Sequence, residues 1–200
     1  MALIVKGILE IKPGEIVALM GPNGSGKTSL ALGIIGHKDY KIKEKISLDG
    51  QNINNLQMSE RAKKGLFLAW QNPVGINGVT VRQILKKNVE AEAKKLKIKP
   101  ELLKRDINVN FSGGEKKRIQ LLELMVLRPK YAILDEVDAG LDSEGLRLLR
   151  KIKTKKMGIL LITHQVRVFD YLKPDRILEM KKLFARHPKF PVAHACQVPR

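Results

Sequence analysis

The sequence predicts an α/β fold in which helices pack on a sheet. Four short, continuously apolar runs are typical of buried strands and too short for core helices; they span 15–20, 65–70, 131–135 and 158–163. A glycine-rich loop joins the first run to a predicted helix at 27–37. Apolar residues recur at helical spacing over 81–97, with lysines opposite, which predicts an amphipathic helix. Strands and helices that alternate in this way favour a sheet covered by helices.

The length and composition fit one folded domain. The 200 residues are 44% apolar, which is enough for a sizeable core. No apolar run approaches the roughly 18 residues that cross a bilayer, and residues 1–15 carry glycine, glutamate and lysine where a signal peptide has an unbroken apolar stretch. Cys196 has no second cysteine with which to pair, which agrees with a reducing compartment. We therefore expect a cytoplasmic protein with no direct membrane insertion.

The charge is strongly positive, at +18 with a pI near 10.1. Nucleic acid is the first ligand class that such a charge suggests. Aromatic residues, however, make up only 4% of the chain, and none lies between basic residues as in a base-stacking surface. The excess is concentrated at 150–156 and 181–189, where no acidic residue occurs. These observations argue against nucleic acid and favour an acidic protein partner.

The segment GPNGSGKT at 21–28 matches the phosphate-loop pattern G-x-x-x-x-G-K-[ST]. It lies between a predicted strand and a predicted helix, as that pattern requires. Its glycines let backbone N–H groups turn inward on nucleotide phosphates, and the helix N-terminus adds positive potential. Lys27 supplies a charge to the same oxygens, and Thr28 offers its hydroxyl to Mg²⁺. The predicted nucleotide contacts are Gly21, Pro22, Asn23, Gly24, Ser25, Gly26, Lys27, Thr28 and Ser29.

The segment YAILDEVD at 131–138 supplies two carboxylates at the end of a predicted strand. Asp135 would lie at the carboxyl edge of the sheet beside the phosphate loop, where it can hold magnesium through water. Because side chains alternate along a strand, Glu136 should point in another direction. It could then face the water that attacks the γ-phosphate and act as the general base.

Four further motifs complete a recognisable order. Gln71 follows the run at 65–70, FSGGEKKR occupies 111–118, AGLD occupies 139–142, and His164 follows the run at 158–163. With the phosphate loop and the acidic strand end, they occur in the order found in the ATP-binding-cassette (ABC) ATPases, which the chain resembles over nearly its whole length.

This resemblance implies a P-loop NTPase of the ABC ATPase type, with a mixed sheet, flanking helices and a small helical subdomain. The implied ATPase domain is 1–185, with the helical subdomain at about 72–127. The basic segment 186–200 has three prolines and no periodicity, so we expect a disordered tail.

The resemblance also implies an ATP-dependent homodimer with shared sites. In the family, the signature of one subunit binds the γ-phosphate held by the phosphate loop of the other. Here the signature contributes Ser112, Gly113 and Gly114 to the partner's site, and Asp142 would span the interface. A serine followed by two N–H groups at a helix start is physically suited to an anion.

Further roles follow residue by residue from the same resemblance. The catalytic set is Glu136, which activates water, His164, which contacts the γ-phosphate, and Gln71, which senses metal and water. The set around Mg²⁺ is Thr28, Gln71 and Asp135. The implied cofactors are ATP and Mg²⁺.

Within the family, four segments are similar to the SufC-type ATPases of the SUF iron–sulfur cluster assembly system. They are NPVGINGVTV at 72–81, RDINVNFSGGEKKR at 105–118, ILDEVDAGLD at 133–142 and ITHQVRVFDYLKPDRI at 162–177. Phe111 stands where transporter signatures usually have leucine. This resemblance implies a cytoplasmic ATPase that works with two soluble scaffold proteins of the SufB and SufD type and changes the scaffold's shape as it dimerises on ATP.

Alternative functions remain open. One is the nucleotide-binding subunit of an ABC membrane transporter, with residues 72–100 gripping a membrane partner. Another is nucleotide binding without hydrolysis. ABC ATPases of DNA repair carry a very long coiled-coil insertion, which a 200-residue chain cannot hold. The chain also departs from the family, because residues 1–20 contain no aromatic residue that could stack on adenine and the segment between Gln71 and Ser112 is short.

Overall fold

The computed structural model of this chain describes residues 1–86, 88–139, 141, 143–152, 154 and 156–180. Its strands are β1 (Leu3–Val5), β2 (Leu9–Ile11), β3 (Ile16–Met20), β4 (Ile46–Leu48), β5 (Gln51–Asn52), β6 (Leu66–Ala69), β7 (Tyr131–Asp135), β8 (Gly158–Ile162) and β9 (Arg176–Glu179). They form two sheets. One is parallel, in the order β6-β7-β8-β3-β9, and the other is antiparallel, in the order β2-β1-β4-β5.

The helices flank these sheets. They are α1 (Lys27–Ile35), α2 (Met58–Lys63), α3 (Val81–Leu85), α4 (Val89–Lys95), α5 (Pro100–Leu103), α6 (Gly113–Leu127), α7 (Ser143–Leu149) and α8 (Phe169–Leu172), with 3₁₀ turns at Arg150–Ile152 and Val166–Val168. In the described part of the chain, no helix is long and apolar enough to cross a membrane. The predicted tail at 186–200, the basic run at 181–189 and Cys196 lie outside the described residues.

The predicted α/β class is confirmed, and each of the four apolar runs forms a strand: β3, β6, β7 and β8. These strands are apolar throughout because both faces of the parallel sheet are covered. On β7, Ala132 and Leu134 face a core formed with α3 to α8, whereas Tyr131 and Ile133 face a second core formed with α1 and the antiparallel sheet. The strands of that second sheet are two or three residues long, too short for a detectable periodicity.

The single helix predicted over 81–97 is wrong, because the chain breaks there into α3 and α4. Lys86 and Asn88 both have positive φ, at 49° and 58°, which no α-helix accommodates. Most of the apolar stripe is nevertheless buried, and both short helices pack against α6. Ile84, which the helical spacing assigned to the buried face, is 40% exposed.

Glu123 on α6 makes stability depend on pH. Burial raises its pKa from the usual 4.5 to about 7. The folded chain therefore holds this proton more tightly than the unfolded chain, so the stabilisation is full below pH 4.5 and is lost as the pH rises through about 7. We expect Glu123→Gln, which cannot ionise, to be more stable than the parent by about 1–3 kcal/mol at about pH 8, with a smaller gain at about pH 5.

Urea unfolding at the two pH values measures this difference. Glu101→Gln, at an exposed position on α5, is the matched control and should show no such change between the two values. An equal gain at both pH values for Glu123→Gln would contradict the assignment.

Candidate active site

The loops that carry the predicted site residues meet at one edge of the parallel sheet. Strands β6, β7, β8 and β3 are consecutive neighbours that run in the same direction. Their carboxyl ends are in register, with Asp135 and Leu19 both opposite Ile162. Because the carboxyl ends of parallel strands share one edge, the loops that follow them converge.

The loop after β3 has the conformation that its glycines allow. Gly24 and Gly26 have φ of 76° and 88°, in the left-handed region that favours glycine. At Gly21 an added Cβ would lie 2.8 Å from Ser25 Oγ, so the loop closes tightly there. Gly26 precedes α1 and has no side chain that could accept a hydrogen bond from the first N–H groups of that helix. Those N–H groups therefore have no capping side chain at the loop.

The Lys27 side chain folds over the same loop. Its Nζ donates to the carbonyl oxygens of Gly21 and Pro22, both at 2.9 Å, and the residue is buried. The ammonium group therefore lies within the loop, where it can reach an oxygen anion that approaches the N–H groups of α1.

A cavity of about 280 Å³ joins this loop to two of the predicted catalytic residues. Gln71 and Glu136 line one side, and the loop residues Asn23, Gly24, Ser25, Gly26, Lys27, Thr28 and Ser29 line the rest. Ser25 Oγ is buried with no hydrogen-bond partner among the described residues. A ligand oxygen in the cavity could supply that partner.

Asp135 ends β7 as a buried carboxylate beside Thr28. Burial raises its pKa, and a hydrogen bond with the Thr28 side chain opposes that rise. One carboxylate oxygen, Oδ1, is buried and has no hydrogen-bond partner among the described residues. An unpaired buried carboxylate oxygen next to a hydroxyl is a donor set that suits a hard cation.

Glu136 turns away from the strand for a reason other than simple alternation. Its φ is 50°, so the backbone leaves the extended conformation at this residue, although its N–H still donates to Ile162 O at 2.9 Å. A non-glycine residue in this region is uncommon and stores some strain. The chain leaves the strand at this left-handed turn, and the two successive carboxylates have different hydrogen-bond partners.

The three predicted catalytic residues meet at the Glu136 carboxylate. Gln71 Nε2 donates to its Oε2 at 2.5 Å, and His164 Nδ1 lies 3.5 Å from its Oε1. The carboxylate side chain is 14% exposed, whereas that of His164 is 46% exposed. The structure thus holds both oxygens of one carboxylate beside the phosphate-loop cavity.

Two residues of α6 support this arrangement and were missed from the sequence. Lys117 Nζ donates to Gln71 O at 2.9 Å, and Gln120 Nε2 donates to Trp70 O at 2.9 Å. Burial lowers the pKa of Lys117, while the nearby carboxylates, Asp135 first, oppose that shift. The signal was available, because both polar residues share the apolar face of α6 with Leu121 and Leu124.

The signature residues form an exposed helix start that is separate from the cavity. Ser112 Oγ accepts the Glu115 N–H at 3.2 Å, and Glu115 Oε2 accepts the Ser112 N–H at 2.8 Å, which closes a capping box on α6. These hydrogen bonds lower the pKa of Glu115. Gly113 and Gly114 follow with nothing within 4 Å of an added Cβ, and neither residue lines the cavity. Asp142 lies outside the described residues.

Part of the basic run at 150–156 lines a second cavity, of about 430 Å³, at the other end of α6. Lys151 and Lys156 from the run share this cavity with Lys95 and Arg128, over an apolar floor that includes Leu124. Glu92 also lines it and pairs with Lys95 at 3.0 Å and with Arg128 at 3.9 Å, which leaves the two lysines of the run as the cations without this partner. Cations over an apolar floor suit an acidic segment with an apolar side chain. The acidic partner stays a prediction.

Comparison with known proteins identifies relatives that match most of the chain. The family model described as ABC transporter matches residues 7–139. The chain is 41% identical over 197 residues to Vegetative protein 296 of Bacillus subtilis (strain 168), covering 86% of this chain and 76% of that protein. It is 39% identical over 199 residues to a probable ABC transporter ATP-binding protein of Streptococcus pyogenes, covering 87% and 78%. It is 40% identical over 201 residues to a probable ATP-dependent transporter of Synechocystis, again covering 87% and 78%.

Solved structures share the fold. An ATP-binding subunit of an ABC transporter superposes with a TM-score of 0.71 at 24% identity, covering 86% of this chain and 76% of that one. A dimeric ATP-binding cassette in a post-hydrolysis state, bound to ADP and Pi, superposes with a TM-score of 0.69 at 23% identity, covering 86% and 83%.

Proposed function

This chain belongs to the ABC transporter family, and we propose that it is the ATP-hydrolysing subunit of a SUF-type assembly machine. Two copies would close on ATP, and their movement would change the shape of a soluble scaffold on which iron–sulfur clusters are built. The hydrolytic part rests on one observation, the convergence of Gln71 and His164 on Glu136 beside the phosphate loop. The four segments similar to SufC-type ATPases support the choice of machine.

The reaction transfers the γ-phosphoryl group of ATP to water and yields ADP and phosphate. Glu136 accepts a proton from the attacking water, while Gln71 and His164 keep its carboxylate in place. Each carboxylate oxygen has two lone-pair directions, so these contacts leave an acceptor free for water. Lys27 and the N-terminus of α1 stabilise the negative charge on the phosphates.

The residues around Asp135 fit Mg²⁺. In the part of the chain that the structure describes, no cluster of three or more His, Cys, Asp or Glu side chains could hold a metal alone. The ion would therefore also need phosphate oxygens, which is how Mg²⁺ is commonly bound. Thr28, which offers its hydroxyl, and Gln71 line the phosphate-loop cavity, and Asp135 offers its unpaired Oδ1 beside Thr28. Held there, Mg²⁺ would supply positive charge that neutralises the negative charge developing on the phosphate groups during hydrolysis.

A second copy of the chain would complete each site. Within one chain the signature residues do not line the cavity. The backbone gives no reason for glycine at 113 and 114, because neither has a positive φ and an added Cβ would meet no atom within 4 Å. A ligand that approaches from outside the chain supplies the reason, since glycine lets a phosphate reach the N–H groups at a helix start. A head-to-tail homodimer brings the partner's nucleotide there.

The segment after Gln71 is the surface proposed for the scaffold. Among the described residues, seven large apolar side chains are exposed, and three of them lie between 74 and 84. Val74 is 81% exposed, Ile76 is 49% exposed and Ile84 is 40% exposed. Exposed apolar side chains that follow the proposed catalytic glutamine in the chain suit a partner protein whose binding could change the position of that glutamine.

Purification of the tagged chain from its native cells tests the choice of machine. We expect a soluble scaffold protein to accompany it, with the visible absorbance of an iron–sulfur cluster. Val74→Ser combined with Ile76→Ser should remove at least about nine-tenths of that scaffold, because both apolar contacts are lost. Ile177→Ser, at another exposed isoleucine on β9, is the matched control and should retain it.

The second candidate function is the ATP-binding subunit of a membrane transporter. The similarity to the probable ABC transporter ATP-binding protein of Streptococcus pyogenes favours it. Recovery of an integral membrane protein in detergent, lost in the same double variant and without cluster absorbance, would support this candidate and contradict the scaffold.

A further inference from the structure

Asp138 and Thr163 form a buried polar pair next to the catalytic residues. Thr163 Oγ1 donates to Asp138 Oδ2 at 2.8 Å, and the two residues are 1% and 0% exposed. Asp138 comes two residues after Glu136, and Thr163 immediately precedes His164. The pair therefore connects the segment that carries the proposed base to the segment that carries the histidine.

The Thr163 hydroxyl also closes a turn around His164. It accepts the backbone N–H of Gln165 at 2.9 Å, so His164 is the central residue of a hydrogen-bonded turn. A hydroxyl has a single hydrogen. Because the hydroxyl donates that hydrogen to Asp138, its oxygen lone pairs remain available to accept the Gln165 N–H. Asp138 thus sets the orientation of the hydroxyl on which the turn depends.

We propose that Asp138 and Thr163 are positioning residues for ATP hydrolysis, which hold the turn that keeps the His164 imidazole beside Glu136. The inference rests on the hydrolytic function proposed above. His164 Nδ1 lies 3.5 Å from Glu136 Oε1, and the imidazole side chain is 46% exposed. Its place therefore depends on the backbone turn more than on packing around the ring.

The chemistry of the pair favours this role over packing alone. Burial raises the pKa of Asp138, a rise that the Thr163 hydrogen bond opposes, and its Oδ1 has no hydrogen-bond partner among the described residues. A carboxylate kept in such a place costs folding stability, which an apolar pair of similar size would avoid.

Thr163→Val tests the proposal, because valine has the shape of threonine without its hydroxyl. We expect kcat for ATP hydrolysis to fall at least about tenfold while KM for ATP changes by less than about threefold, since the phosphate loop is untouched. Thr163→Ser, which restores a hydroxyl, should recover kcat to within about threefold of the parent. Thr80→Val is the matched control, because Thr80 Oγ1 also accepts a backbone N–H, that of Gln83, but at the start of α3.

Two further measurements separate positioning from general damage. In a His164→Ala background, Thr163→Val should cause no further loss of kcat, because both changes remove the same function. The ring NMR signals of His164, assigned by their absence in His164→Ala, should shift in Thr163→Val and return in Thr163→Ser. Asp138→Ala removes the acceptor of the Thr163 hydroxyl and should also shift those signals, which tests the proposal even if Thr163→Val folds poorly.

The proposal would be overturned if folded Thr163→Val hydrolysed ATP with the kcat of the parent. It would also be overturned if Thr163→Val lowered kcat by the same factor in the parent and in the His164→Ala background. Its failure is distinguishable from failure of the function itself. If Glu136→Gln and His164→Ala slow turnover but Thr163→Val does not, only the positioning role is lost. If Glu136→Gln and His164→Ala hydrolyse ATP at the parent rate, the hydrolytic site is wrong.

Discussion

Glu136→Gln should lower ATP turnover by about 10²–10⁴-fold while ATP binding is retained. Glutamine has the size of glutamate, and its amide oxygen can still accept from Gln71 Nε2, so the local structure should persist. An amide cannot take a proton from water near neutral pH. Because Lys27 and the helix N-terminus still hold the phosphates, we expect the variant to accumulate as an ATP-bound dimer. Phosphate release and analytical ultracentrifugation with ATP measure the two effects.

Glu90→Gln is the matched control for this experiment. Glu90 pairs with Arg82 at 2.6 Å, and both side chains are more than half exposed, so the change should cost little. It should turn over ATP at the parent rate and show no ATP-bound dimer beyond that of the parent. Turnover by Glu136→Gln at the parent rate would show that another group accepts the proton.

Replacing Gly113 and Gly114 together by alanine should make the chain more stable and its ATPase at least about tenfold slower. Both glycines lie in the first turn of α6, and an added Cβ meets nothing within 4 Å. Alanine there should raise the free energy of unfolding by up to about 1 kcal/mol per position. In the dimer, the two methyl groups would lie where the partner's γ-phosphate must approach. A gain in folding stability together with a loss of ATPase activity would indicate that the two glycines contact a group outside their own chain.

Gly50→Ala provides the contrasting control. An added Cβ at Gly50 also meets nothing within 4 Å, but its φ is 85°, which alanine adopts with strain. We expect a loss of about 1 kcal/mol in stability and no change in turnover per folded molecule. Urea unfolding and ATPase assays compare the two variants. If the variant with both Gly113→Ala and Gly114→Ala hydrolysed ATP at the parent rate, the shared-site dimer would be contradicted. The two glycines would then not contact the partner's nucleotide.

Much of the sheet could be predicted because burial on both faces leaves a local mark. YAILD predicted β7 with its observed bounds, and the run at 158–163 predicted β8 to within one residue. The break between α3 and α4 could not be predicted in this way. The positive φ of Lys86 and Asn88 redirects the helix without disturbing the apolar spacing, so the pattern on either side still reads as one helix.

The sequence by itself determined which side chains are suited to phosphate, proton and metal chemistry, because those properties depend on residue type at a local spacing, as in GPNGSGKT. Only the tertiary structure decided that Gln71 meets Glu136 across 65 positions and that Thr163 meets Asp138 across 25. Such meetings depend on the strand order β6-β7-β8-β3. That order follows from how the whole sheet packs between its two cores, and apolar strands of similar length carry no local signal of which neighbour each will take.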